Sequence, residues 1–537
     1  MEVNSSKSIL RTVTAVCFCV FVLLMSIVNL KLAGCPAVSF LTGELSFKEM
    51  TQEIADNYVS AKLWMRSDFI NFNGLFARIS GRHAYNQTMR MENGMLNYGY
   101  STFSDPPDET LEINLSDSIG SFADYLETLD IPFYFILAPV KEDLEGELLP
   151  DGFRNYQNQT GDQLLELLSA QKIDTLDLRT DLTATAAQSE QYFYRTDHHW
   201  NGDGALKGFG ILMDWLQHRY DPDLDTSFTD PEGWQRFTLD NSFLGTHGKR
   251  VGKYYAGTDD LIWYEPRFET DMSLSIPDYT EYYQGAFSKV NVRDQYRQLQ
   301  DYFAVTPYVI YIGGDYPSVQ HRNVNAPNQK KVLFIKDSFG LAIQSFLSTE
   351  FSAVDVIDPR YFTEVGIAEY CKWEQPDLVI MMMSPSAVSN RYYNRVGIST
   401  EERVRLENQD SELLLSELEL IADGQNRVED LKALPITLEN GGTYQLAFES
   451  VTPFDDMPDA VSAVLYNKTV GDIAQQRIFD TDYYGTMEPW KWTFTVPSND
   501  AREEFELYLC AGLFEQTEDA GVKIQDISVY DISETGQ

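Results

Sequence analysis

The apolar runs of this chain predict an α/β domain on a parallel sheet, preceded by one membrane-length apolar stretch and followed by a small β-sandwich. Three observations carry the prediction. Residues 131–138, 332–335 and 377–383 are short apolar runs without alternation, the pattern of strands buried on both faces. Segments of helical spacing lie between them, and strand–helix alternation specifies a sheet with helices on both sides. From about Leu434 the runs turn short and alternating, with turn residues between them, as in a two-sheet sandwich.

The elements follow in chain order. Thr12 to Leu30 is long and apolar enough to span a bilayer, and Lys7 and Arg11 before it hold the N-terminal tail in the cytoplasm. Residues 1–33 then form a tail and transmembrane anchor, with the body of the protein outside the cell. The competing reading is a cleaved lipoprotein signal ending at Leu32-Ala-Gly-Cys35, but Lys31 directly before that box and the length of the apolar run favour the anchor. Residues 46–398 carry the α/β domain. Its first part, to residue 100, reads as helix and loop rich in aromatics. Helical spacing covers 111–129, 161–170, 202–218, 341–347 and 367–373; strands are expected at 131–138, 173–178, 332–335, 353–357 and 377–383. Residues 220–325, crowded with Tyr, Asp, Gly and Pro, read as an irregular insertion or lid. Glu and Leu from Thr400 to Ala422 suggest an amphipathic helix within a connector, residues 399–433. Residues 434–537 form the sandwich. Its Trp490, Trp492, Tyr483 and Tyr484 suit stacking on sugar rings, although alternation puts the two tryptophans on one face, as a core would need.

Charge and cysteines narrow the partners. Asp and Glu outnumber Lys and Arg 82 to 41, a net charge of −41, which opposes binding to nucleic acid or anionic lipid. Outside the apolar stretch only Cys35, Cys371 and Cys510 remain, too few for a disulfide framework or a paired metal site, although a Cys371–Cys510 bridge is open.

Two motifs carry chemistry. Asp197-His-His-Trp200 sets a carboxylate two residues before His199, just ahead of a helix. In a tight turn Asp197 orients the imidazole and stabilises its protonated form. Lys331-Val-Leu-Phe-Ile-Lys-Asp-Ser-Phe-Gly340 places Ser338 just past a buried strand, where ligands bind in parallel sheets. Its hydroxyl is a nucleophile and its N–H an oxyanion donor; a helix cap is the plainer reading. His198 and His199 are also candidate metal ligands, but His83, His218, His247 and His321 have no metal-site spacing to them. Trp200 reads as packing beneath the turn.

Asp197–Trp200, Lys336-Asp-Ser-Phe-Gly340 and Ile357-Asp-Pro-Arg-Tyr361 together resemble the DHHW family, related to the SGNH-hydrolase-like domains of alginate O-acetylation proteins. Phe135-Ile-Leu-Ala-Pro-Val-Lys141, Phe243-Leu-Gly-Thr246, Tyr311-Ile-Gly-Gly-Asp-Tyr-Pro317 and Gln375-Pro-Asp-Leu-Val379 match in the same order, over roughly residues 50 to 395. The resemblance implies a flavodoxin-like three-layer fold and a triad of Asp197, His199 and Ser338, with no metal or cofactor. It implies a Ser-His-Asp acetyltransferase or acetylesterase acting on a cell-surface or secreted polysaccharide, its acetyl donor delivered by a membrane-bound O-acyltransferase. Gly314, Arg360 and Lys141 are candidate substrate or oxyanion contacts. The family's Gly-Gly-Asn reads Gly313-Gly-Asp315 here, and an ionised aspartate cannot donate to an oxyanion. That departure supports the alternative of a non-catalytic polysaccharide-binding or assembly protein; a metal-dependent hydrolase is the third reading.

Overall fold

The computed structural model describes most of residues 65–407 and, beyond them, the strands between Leu413 and Asp531 with part of their connections. Among the described residues no helix is long and apolar enough to cross a membrane. The expected anchor at 12–30 lies outside them, apart from scattered helical positions, as do Cys35, Tyr483 and Tyr484.

The centre is an eight-stranded sheet. In chain order its strands are β1 (Phe133–Leu137), β2 (Asp174–Asp177), β3 (Met272–Ile276), β4 (Glu281–Gly285), β5 (Ser318–Asn323), β6 (Asn328–Lys336), β7 (Phe351–Ile357) and β8 (Leu378–Met383). The spatial order is β2-β1-β8-β6-β7-β5-β3-β4. Neighbours from β2 to β7 are parallel; β5, β3 and β4 continue the sheet antiparallel. The expected parallel sheet is therefore five strands of an eight-stranded mixed sheet. Its winding also departs from the flavodoxin type, because β8, last in sequence, inserts between β1 and β6. The stretch 220–325 is no separate lid: it supplies three of the eight strands, plus a hairpin of Trp234–Phe243 with Asp259–Pro266.

Period-two geometry explains why the central strands are apolar throughout. Ile136, Val332, Phe334, Ile380 and Met382 enter one core with helix residues Leu206, Phe209 and Phe346. Their neighbours Phe135, Leu137, Leu333, Ile335, Val379 and Met381 enter a second core with Leu115, Ile119 and Leu164. The helices involved are α1 (Glu109–Thr128), α2 (Gln157–Ala170), α3 (Gly202–Arg219) and α4 (Gly340–Glu350). Helix α3 starts where predicted: the Asn201 side chain accepts from Gly204 N at 2.9 Å, and Leu206, Phe209, Leu212, Met213 and Leu216 are buried. Gly204 and Gly208 permit its close packing, since a Cβ would meet Tyr192 O at 2.5 Å at the first and the Trp200 ring at 2.9 Å at the second.

The C-terminal region is a sandwich of a four-stranded and a three-stranded sheet. The helix expected over Thr400–Ala422 covers Thr400–Glu407 only; Leu413–Ala422 is a strand paired antiparallel to Ala520–Asp531. Trp490 and Trp492 are 0% and 3% exposed in the sandwich core, so they do not form a sugar-stacking surface. Cys371 and Cys510 are both free thiols and buried, not bridged.

Candidate active site

The Asp197 segment is a tight turn fixed by its ends. Phe193 and Trp200 form a bridge, Tyr194 N donates to His199 O at 3.2 Å, and Asn201 N donates to Tyr192 O at 2.8 Å. Asp259 holds the tip, accepting from Arg195 N, Thr196 N and Thr196 Oγ1 at 2.9, 2.8 and 2.6 Å. Within this turn Asp197 Oδ1 meets His199 Nδ1 at 2.6 Å and accepts from His199 N at 3.1 Å. Asp197 Oδ2 accepts from Thr246 N at 2.6 Å. Burial would raise the Asp197 carboxyl, but His198, His199 and these hydrogen bonds hold it well below the usual carboxylate range.

The other imidazole nitrogen, His199 Nε2, lies 2.8 Å from Ser338 Oγ. The three residues expected to work together are thus in one hydrogen-bonded line, although Ser338 is 139 positions from His199 in sequence. Ser338 stands two residues past β6, in a turn set by Asp337. Asp337 Oδ1 accepts from Phe339 N at 2.9 Å; Oδ2 accepts from Ser384 N and Ser384 Oγ at 2.8 and 2.7 Å. The Ser338 N–H has no acceptor among the described residues, which leaves it available to an oxyanion. Tyr308 stacks on His199, with ring centroids 3.8 Å apart and planes 11° apart, and its hydroxyl donates to Ser338 O at 2.9 Å. One residue therefore steadies both His199 and Ser338. Tyr308→Phe is expected to cost about 1 kcal/mol of transition-state stabilisation, about a five- to tenfold fall in ester turnover, with the fold retained. Steady-state kinetics beside circular dichroism checks this.

His198 takes a different place. It lines the cavity in front of Ser338, lies 3.8 Å from the His199 ring, and sets Nδ1 3.5 Å from Asp197 Oδ1. Burial, reinforced by His199, pushes it down to about 3, so it is neutral near pH 7. Asp197, His198 and His199 are close enough to share a metal ion. Both Asp197 oxygens and both His199 ring nitrogens are already engaged, so the arrangement fits a proton relay better than a metal centre. Trp200 is fully buried and acts as packing.

The remaining candidates are placed as follows. Lys141 is buried beyond the end of β1, and its Nζ donates to the carbonyls of Leu96 at 2.8 Å, Arg195 at 3.4 Å and Asp197. It borders the cavity but holds the turn, so it positions Asp197. Arg360 lines the same cavity; its Nε and Nη2 bind Asp358 at 2.9 and 2.6 Å, and Nη2 reaches Asp315 at 3.0 Å. Asp315 also accepts from Lys336 Nζ. Gly314, one residue earlier, does not line the cavity. Asp315 is thus an anchor for two cations. Burial would raise it, but Lys336 and then Arg360 bring it down to about 2.

A folded value near 2 against an ordinary 3.8 gives Asp315 stability that is fully present above pH 3.8 and lost as pH falls towards 2. The full contribution is about 2 kcal/mol, of which about 1 kcal/mol is gone by about pH 3. Urea unfolding at about pH 5 and about pH 3 should show this extra loss in the wild type and not in Asp315→Asn. Equal losses would remove the network from the stability account.

Sequence reasoning missed Tyr308, Thr246, Asp259 and Asp337 as parts of the site. Thr246 had a signal, since Phe243–Thr246 was one of the ordered blocks. Asp337 sat inside the serine block. Tyr308 and Asp259 lay in the stretch taken as irregular.

No curated protein matches this chain. Among solved structures it is similar to Bacillus cereus PatB1, at 20% identity and TM-score 0.47, covering 57% of this chain and 96% of that one. It is similar to a DHHW family protein from Eubacterium siraeum, at 18% identity and TM-score 0.43, covering 59% and 98%. It is also similar to the O-acetyltransferase domain of Pseudomonas putida AlgJ, at 11% identity and TM-score 0.34, covering 60% and 98%. Two family models match along the chain and overlap across the Asp197 turn: the SGNH hydrolase-like domain of acetyltransferase AlgX over residues 103–232, and the DHHW protein over residues 179–357.

Proposed function

We propose that this protein is an extracytoplasmic Ser-His-Asp acyltransferase or esterase that moves acetyl groups on or off a polysaccharide. One observation carries the reading: His199 bridges Asp197 at 2.6 Å and Ser338 at 2.8 Å, with the Ser338 N–H open beside them. Asp197 fixes the tautomer that leaves Nε2 free to take the Ser338 proton. Ser338 Oγ then attacks the ester carbonyl, the carbonyl oxygen gains negative charge against the Ser338 N–H, and the donor alcohol leaves with the proton from His199. The reverse sequence passes the acetyl group from Ser338 to a sugar hydroxyl or to water. The cavity in front of Ser338 is about 160 Å³, which suits a short acyl group and one acceptor unit. Acetyl transfer is supported by the match to the SGNH hydrolase-like domain of acetyltransferase AlgX; the polysaccharide acceptor is what the resemblance to alginate O-acetylation proteins implies. In this reading the N-terminal apolar run anchors the chain outside the cell membrane, or Cys35 carries a lipid, and a membrane-bound acyltransferase delivers the acetyl donor.

A sulfonyl fluoride tests the reading. A covalent adduct is expected on Ser338, found by peptide mass spectrometry and lost in His199→Ala. Absence of both adduct and ester turnover would favour the non-catalytic binding protein instead. Turnover abolished by a chelator and restored by metal would favour the metal-dependent hydrolase.

A further inference from the structure

Independently of the chemistry at Ser338, we infer that the helix Arg66–Ile79 docks on an anionic bilayer surface, its apolar face set among the lipid headgroups. Along this helix the usual burial is reversed. Asn71, Gly74 and Ala77 face the protein, while Phe72, Phe76 and Ile79 are 51%, 68% and 73% exposed. Positions 72, 76 and 79 fall on one stripe of a helix. Met65 at its start and Tyr254, ring to ring with Phe72, extend that stripe. Large apolar side chains aligned towards water mark an interaction surface. The helix itself is firmly attached. Asn71 Oδ1 accepts from Lys253 N at 2.8 Å, Arg78 Nη1 donates to Tyr255 O at 2.8 Å, and a Cβ at Gly74 would run into the Val251 carbonyl oxygen. The stripe is therefore held out by segment 246–256, whose first N–H supports Asp197.

Charge and position select the occupant. Residues 65–83 carry Arg66, Arg78 and Arg82 against Asp68, and segment 246–256 adds Lys249, Arg250 and Lys253 with no acid. Lys249 turns away to Val305 O and Thr306 Oγ1, and Asp301 lies near it. Even so, this face is basic on a chain with 82 acids and 41 bases. Arginines at both ends of an exposed apolar stripe fit an interfacial helix, their stems along hydrocarbon and their heads at lipid phosphates. A second copy packed antiparallel on the stripe would instead set arginine against arginine. Residues 31–64 connect the helix to the apolar run 12–30, which as an anchor keeps it beside the bilayer. Docking then fixes how the turn that holds Asp197 faces the membrane.

Photocrosslinking of the full-length chain, in liposomes of phosphatidylcholine and phosphatidylglycerol, tests this. p-Benzoylphenylalanine is placed at Phe72, at Phe76 and, for comparison, at Val470, which is exposed on the sandwich. Irradiation should give phospholipid adducts at the first two positions and none at the third, read by peptide mass spectrometry. Arg66→Gln combined with Arg82→Gln should lower the adduct yield at least about fivefold, as should liposomes of phosphatidylcholine alone. Yields unchanged by both would overturn the assignment to anionic lipid. An adduct from Phe72 or Phe76 to a second copy, or to residues 31–64 of the same chain, overturns the docking itself. So does flotation with the liposomes and no lipid adduct, which leaves the anchor standing. A chain that does not float with them removes anchor and docking together.

Discussion

Alanine at Ser338 or at His199 is expected to lower acetyl-ester turnover by at least about 10⁴-fold, and the double variant should be no worse than either single one. The reason is geometric. His199 Nε2 lies 2.8 Å from Ser338 Oγ, and in the proposed mechanism neither group works without the other. Asp197→Asn should fall by about 10⁴-fold as well, because an amide facing Nδ1 can hold the wrong tautomer, with the ring proton on Nε2. Ser338→Ala should leave unfolding by urea within about 0.5 kcal/mol of the wild type. Additive losses in the double variant would mean that the two residues do not act as one unit.

Alanine at Gly245 should break the site from behind. A Cβ there would lie 2.3 Å from Asp197 Cβ, 2.5 Å from Asp197 Oδ2 and 2.7 Å from Asp197 Cα. The glycine is not needed for a left-handed conformation, since its φ is −72°; it is needed for room. Neither side can yield easily. Gly245 N donates to Thr196 Oγ1 at 2.8 Å, Thr246 N to Asp197 Oδ2 at 2.6 Å, and the Asp197 carbonyl is held by Lys141. Overpacking of this kind costs about 1–3 kcal/mol, and a shift of about 1 Å in Asp197 costs about 10²-fold in rate. Gly210→Ala is the comparison. Its Cβ would meet nothing within 4 Å, and inside helix α3 it should stabilise by up to about 1 kcal/mol. Unfolding midpoints and ester turnover of the two variants check both statements. A Gly245→Ala enzyme with wild-type turnover would show that the turn is softer than its hydrogen bonds imply.

Much of the architecture was legible from apolar patterning. Strands buried on two faces must be apolar at every position, so β1, β6 and β8 declare themselves. Strands β3 and β5 do not. Ser273, Ser275, Gln320, His321 and Arg322 are buried along them, and polar residues in an aromatic-rich stretch read as loop. Arg322 is accommodated by Asp355 at 2.6 Å, a pairing across strands that no local pattern contains. Leu413–Ala422 fails for the opposite reason. Its Leu and Glu favour a helix locally, and a ladder with Ala520–Asp531, more than 90 residues on, overrides that preference.

The site divides in the same way. Asp197 and His199 are two residues apart, so chain geometry by itself lets them meet, and Ser338 follows a strand that only a buried position explains. Those choices belong to the sequence because they depend on local spacing and local burial. The meeting of Ser338 with His199 is a tertiary event, as are the stacking of Tyr308 on His199, the Thr246 N–H behind Asp197, and the enclosure of Lys141 by three carbonyls. The first depends on the end of β6 being carried to the turn that precedes α3, and the enclosure of Lys141 on the end of β1 reaching that same turn, in a sheet whose order places β8 between β1 and β6. Apolar spacing determines which segments are strands, but the order in which strands lie side by side is set by long-range packing. The position of every charge around Ser338 follows from that order.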